Sequence, residues 1–188
     1  MSARMVAIGC SAGGMQALRR VLPHLDPGLP VPVVVVSHTG SEDVATLCEL
    51  LESSSALPVR EAVERTQATG GVVHVAPSGY HLLLEHDGRF ALSVDERVTF
   101  ARPSIDVFLE AAADAIGSGL VGVILTGANS DGAKGLRRVR LHGGIAIVQE
   151  PSEAQAAAMP IAALEMAGAD HCLRLDDIPP LLNRLCLS

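Results

Sequence analysis

Residues 5–14 read Met-Val-Ala-Ile-Gly-Cys-Ser-Ala-Gly-Gly, and this stretch decides the fold class. Met5 to Ile8 is an apolar run without alternation, as expected of a strand buried on both faces. The glycines that follow let the backbone turn sharply, and a helix is expected from about Gly14 to Leu22. A buried strand, a glycine turn and a helix form the opening unit of a parallel α/β sheet.

The pattern continues outward from there. Val31 to Ser37 is a second, valine-rich strand. Asp43 to Leu51 follows with helical spacing at Val44, Leu47, Cys48 and Leu51. Residues 58–61 are a short third strand. Between Gly70 and Val94, three apolar runs (Val72 to Ala76, His81 to Glu85, Phe90 to Val94) are separated by Pro77-Ser78-Gly79 and Asp87-Gly88, which predicts an antiparallel excursion. Alternation then resumes. A helix capped by Ser104 runs to about Ile116, and Leu120 to Leu125 is a strand. Asp131 to Leu141 is a helix closed by Gly143-Gly144, and Ile145 to Gln149 is a strand. Helices near Ala154–Ala167 and Ile178–Leu185 flank a last strand at Cys172–Leu175. The expectation is one domain over residues 1–188: a doubly wound, mostly parallel, Rossmann-like α/β sheet with an antiparallel β insertion.

Composition narrows the function. The 188 residues are 48% hydrophobic, enough for one substantial core, and carry a net charge of −7. Lys and Arg are scattered rather than clustered, so no nucleic-acid partner is expected. Trp is absent and there is a single Tyr, which leaves no aromatic surface for stacking bases. Cys10, Cys48, Cys172 and Cys186 form no C-x-x-C pair, consistent with reduced thiols in a cytosolic protein. The first strand starts almost at the N-terminus, and Val33 to Val36 is too short a run to span a bilayer. A cytoplasmic protein without direct membrane insertion is expected.

Sites in such sheets lie at the carboxyl ends of strands. The first strand ends in Gly9-Cys10-Ser11-Ala12-Gly13-Gly14, where a serine on a strand-to-helix turn resembles a nucleophile elbow. A phosphate cradle is the rival reading, although no G-K-[ST] follows. The second ends in Ser37-His38-Thr39-Gly40, where an imidazole could exchange a proton with Ser11. A structural loop histidine is the alternative, and it is the reading given to histidines 24, 74, 81, 86, 142 and 171. The third place is Leu125-Thr126-Gly127-Ala128-Asn129-Ser130-Asp131-Gly132-Ala133. Asp131 could orient His38, or it could simply cap the helix that follows. The conjunction of Ser11, His38 and Asp131 at three strand ends favours a serine hydrolase.

Several ordered motifs resemble the catalytic domain of the chemotaxis protein-glutamate methylesterases, the CheB family, from about Val6 to Leu185. Ile8-Gly9-Cys10-Ser11-Ala12-Gly13-Gly14 is similar to the family's I-G-x-S-x-G-G, and Val36-Ser37-His38 falls at its histidine. Ala76-Pro77 with His81-Leu82, Arg102-Pro103-Ser104-Ile105-Asp106, Leu125-Thr126-Gly127 with Asp131-Gly132-Ala133, and Met159-Pro160 carry the rest. The resemblance implies hydrolysis of γ-glutamyl methyl esters on the cytoplasmic helices of chemoreceptors or a related signalling protein, with glutamine deamidation as a further activity. It also implies the triad Ser11, His38 and Asp131, with no metal or cofactor. Backbone N–H groups of Ala12 and Ala128 are candidate oxyanion donors.

Two positions depart from the family pattern: Ala128-Asn129-Ser130-Asp131 stands in place of M-G-x-D, and Ile161 in place of an arginine. The length leaves no room for the family's receiver domain, so either a catalytic domain trimmed from a longer protein or a stand-alone esterase is expected. Arg102 and Met159 are candidate contacts to substrate or receptor. Arg102-Pro103-Ser104 also reads more simply as a helix start, and Tyr80 and Phe100 as loop packing. A catalytically silent receptor-binding module and a nucleotide- or phosphate-binding module are the competing functions.

Overall fold

The computed structural model describes residues 2–38 and 43–188. Thr39 and Gly40, part of the second strand-end motif, lie outside them.

Seven strands form one sheet: β1 (Met5–Cys10), β2 (Val33–Ser37), β3 (Val59–Glu61), β4 (Val73–Val75), β7 (Leu120–Ile124), β8 (Ile145–Gln149) and β9 (His171–Leu173). The order is β3-β4-β2-β1-β7-β8-β9, and every neighbouring pair is parallel. β5 (His81–Leu84) and β6 (Phe90–Ser93) pair antiparallel as a separate hairpin.

Alternate side chains of each central strand feed two cores, as the twofold period of a strand requires. Val6, Ile8, Val33 and Val35 meet α1 (Gly14–Val21), α2 (Val44–Glu52) and α6 (Ile178–Leu187) on one face. Met5, Ala7, Val34 and Val36 meet α3 (Ile105–Ile116), α4 (Ala133–Leu141), α5 (Ala158–Met166) and the hairpin on the other. β1 lies centrally. The chain leaves it toward β2 on one side and fills the other side with β7 later, so β1 is the switch point at which α/β sheets form ligand sites.

Two expectations need correction. Residues 72–76 do not belong to the antiparallel excursion, because Val73, His74 and Val75 are all buried in the main sheet between β3 and β2. Three residues buried on both faces carry no alternation, so periodicity could not separate them from the hairpin. The helix expected from Ala154 begins only at Ala158. The preceding backbone is committed elsewhere: the Ala156 N–H donates to Thr126 Oγ1 at 2.9 Å, and Ala156 O accepts the Gly127 N–H at 3.0 Å.

Candidate active site

Cys10 lies opposite Ser37 in the β1–β2 ladder. Ser11 and His38 therefore leave adjacent strands side by side, one strand spacing or about 5 Å apart. Two backbone bonds fix this arrangement: the His38 N–H donates to Cys10 O at 3.1 Å, and the Ser11 N–H to Thr126 O, beyond the end of β7, at 2.9 Å. Gly9 is required just below, because a Cβ there would lie 2.4 Å from Ile105 Cγ2. The close approach seats the start of α3 against the end of β1. Ser11 and His38 both line a cleft of about 350 Å³. Among the described residues, Ser11 Oγ makes no hydrogen bond, so the hydroxyl can rotate toward either neighbour.

Asp131 is the most constrained group of the site. His38 Nε2 lies 2.7 Å from Asp131 Oδ2, with the two side chains 11% and 0% exposed. Oδ2 also accepts the Ile105 N–H at 2.7 Å. Oδ1 accepts the Ser104 hydroxyl at 2.8 Å and the Asp106 N–H at 2.9 Å. Burial acts to raise the pKa of this carboxyl, but the bonds from His38, from the Asp106 and Ile105 amides and from Ser104 outweigh it and hold it below the ordinary value. Ionised Asp131 is acceptor-only, which makes His38 Nε2 the donor and leaves Nδ1 with the lone pair.

The simpler expectation, that Asp131 caps its own helix, is corrected here. Its carboxylate takes the free amides of α3, while the position before α4 is Gly132 at φ 95°. Asp106 reciprocates from the first turn of α3. Its Oδ1 accepts the N–H groups of Gly132 at 2.9 Å and Gly135 at 2.7 Å. A carboxylate at or just before the start of each helix thus satisfies the start of the other. In the sequence Asp106 stands only as the last residue of the Arg102–Asp106 motif, with no role of its own. A usable signal was present, since Asp106 shares its helical face with buried Leu109 and Ala113.

Burial, the nearby charge of Asp131 and that of Glu110 push the Asp106 carboxyl up to about 6, against the pull of the two amides. A raised acid stabilises the fold fully below its unfolded pKa and loses that contribution as pH climbs through the folded value. Asp106→Asn keeps an acceptor for both amides and removes the titration. Its effect on unfolding free energy should become more favourable between pH 4 and pH 7 by on the order of 2 kcal/mol. Denaturant titrations of both proteins at the two pH values measure this, and equal differences at both would refute it.

The remaining candidates divide. Arg102 lines the cleft and donates through Nη1 to Val94 O at 2.9 Å and Asp95 O at 3.1 Å. Ser104 caps α3, accepting the Val107 N–H at 3.4 Å. Met159 is 1% exposed and packs on Gly127, so it supports the Ala128 loop from behind and offers no surface to a substrate. Phe100 is not loop packing: it is 95% exposed at the cleft. His81 is structural, as expected. Its Nε2 donates to Glu96 O at 2.8 Å, and its Nδ1 accepts the Ser104 N–H at 3.2 Å. Among the described residues, no helix is long and apolar enough to cross a membrane.

A doubly wound sheet that gathers a serine, a histidine and a buried carboxylate at its carboxyl ends defines a class, the α/β domains with a serine-hydrolase type of site. A family model described as CheB methylesterase matches residues 6–182, and the chain belongs to that family. A relative from Leptospira interrogans is 43% identical over 98% of this chain and 96% of its own length. The protein-glutamate methylesterase/protein-glutamine glutaminase of Symbiobacterium thermophilum is 39% identical over 96% of this chain, which spans 50% of that longer protein. The crystal structure of the Thermotoga maritima CheB methylesterase catalytic domain superposes with a TM-score of 0.93 at 34% identity, covering 98% of this chain and 100% of that one.

Proposed function

We propose that this chain hydrolyses γ-glutamyl methyl esters on chemoreceptor-type signalling proteins in the cytoplasm, releasing methanol, and deamidates glutamine side chains at the same site. The observation that carries the reading is the Asp131–His38 bond at the strand end beside Ser11. Relatives named for both activities match nearly the whole length of this chain, and a CheB methylesterase catalytic domain shares its fold.

Ser11 Oγ attacks the ester carbonyl as His38 Nδ1 takes its proton. Asp131 holds the Nε2–H tautomer and stabilises the imidazolium. Charge then develops on the carbonyl oxygen. The Ser11 N–H is already committed to Thr126 O. The N–H groups of Ala12 and Ala128 make no hydrogen bond among the described residues, so both are free to receive the oxyanion. One such donor is worth roughly 3 kcal/mol of barrier. The imidazolium returns its proton to the leaving methoxide, giving methanol and a glutamyl ester on Ser11. Water repeats the sequence with His38 as base, giving a glutamate carboxylate and free serine. With glutamine, ammonia leaves in place of methanol.

The test uses a helical peptide with one γ-methyl glutamate, and its glutamine counterpart. Methanol should appear in equal amount with new carboxylate from the first, and ammonia from the second. If neither the peptide nor a single-residue γ-methyl ester yields methanol, the reading fails.

A further inference from the structure

The segment between β6 and α3 forms an arm over the cleft, and three kinds of bond fix it. Arg102 holds the carbonyls of Val94 and Asp95, and His81 holds that of Glu96. Val98 and Ala101 exchange both backbone hydrogen bonds, at 3.0 and 2.9 Å, closing a two-residue turn. The central residues of that turn are Thr99 at φ 50° and Phe100 at φ 63°. Turns of this type favour Asn and Gly, so a β-branched and an aromatic residue strain the backbone.

The strain presents one side chain. Of three phenylalanines, Phe90 and Phe108 are fully buried, while Phe100 is 95% exposed and lines the cleft that holds Ser11 and His38. Arg97 lines the same cleft and has no ion pair among the described residues. Among the described residues, the charged side chains lining the cleft include Arg97 and Arg102 and no carboxylate, although the chain as a whole carries a net charge of −7. Asp95 and Glu96, on the same segment, do not line it. Aromatic residues and arginine are enriched at recognition surfaces, and a backbone already fixed by hydrogen bonds limits the entropy lost on binding.

We infer that the 97–100 turn is a recognition arm for an acidic amphipathic helix: Phe100 packs on the helix's apolar stripe and Arg97 pairs with carboxylates flanking the target glutamyl ester. This rests on the methylesterase reading and adds to it the residues that select a helical substrate over an isolated ester. An apolar anchor at helical spacing beside acidic neighbours is the helix-in-groove mode of recognition.

The test compares kcat/KM for the γ-methyl ester within an acidic helical peptide with kcat/KM for a single-residue γ-methyl ester. Three variants are used: Phe100→Ala, Arg97→Glu, and the double change Thr99→Asn with Phe100→Gly. The double variant carries the residues such a turn prefers, so it keeps the arm and removes only the ring. The helical-to-isolated ratio should fall at least tenfold in each variant, and the Arg97→Glu loss should shrink as salt rises. A misfolded arm would lower both substrates together, whereas the double variant should melt no lower than the wild type. Ratios within twofold of the wild type would overturn the assignment. If the wild type hydrolyses neither ester, the methylesterase reading fails separately. Binding of the unmethylated acidic peptide then decides the arm: a tenfold weaker Kd in the variants supports it, and an equal Kd or no binding overturns it.

Discussion

Asp131→Asn should lower ester turnover on the order of 10⁴-fold, as expected when the orienting carboxylate of such a triad becomes an amide. In this protein it should also destabilise the fold. Both oxygens of Asp131 accept two donors each: His38 Nε2–H and the Ile105 amide on Oδ2, the Ser104 hydroxyl and the Asp106 amide on Oδ1. An asparagine offers one oxygen and one NH₂, so whichever way it turns, two donors face a donor. His38 can relieve one clash by changing tautomer, which puts the proton on the nitrogen meant for Ser11. On the other side, the backbone amides of α3 have no such freedom. Losing buried bonds to a charged acceptor costs about 3 kcal/mol, or roughly 6–12 °C in melting temperature for a domain of this size. Calorimetry and methanol release on the same preparation check both halves. A variant that is inactive yet melts with the wild type would contradict the capping role.

Ser11→Ala is expected to behave in the opposite way. Loss of the nucleophile in a serine hydrolase removes catalysis by on the order of 10⁴- to 10⁶-fold. Yet Ser11 Oγ makes no hydrogen bond among the described residues, and the backbone bonds that hold this turn are made by the Ser11 N–H and O. Stability should change by less than about 0.5 kcal/mol. Methanol and ammonia release should disappear together, because one hydroxyl attacks both carbonyls. Ammonia release that survives in this variant would mean that deamidation does not use Ser11.

Much of this architecture is legible in the sequence. The glycine-bearing turns after Ile8 and Leu125 mark strand ends, and the buried runs between them give a parallel sheet with Ser11, His38 and Asp131 on one edge. Two features were not legible, for physical reasons. β4 is three residues long and buried on both faces, so it carries no period to read. The crossed caps of α3 and α4 join residues 25–29 positions apart. Local rules assign a carboxylate to the nearest helix start, and here the nearest is the wrong one. Phe100 shows the same limit from the other direction. A lone aromatic in a loop reads as packing, and only the turn geometry turns it outward.

The crossed carboxylates also change what can be learned from other sequences of this fold. A descendant that abandoned hydrolysis could discard the serine at once, since among the described residues nothing bonds to its hydroxyl. It could not so easily discard the aspartate, because two helices begin against it. In such a lineage the acid would outlive the chemistry. A retained aspartate at this place is therefore a mark of the fold, and a retained serine is the better sign that the enzyme is still at work.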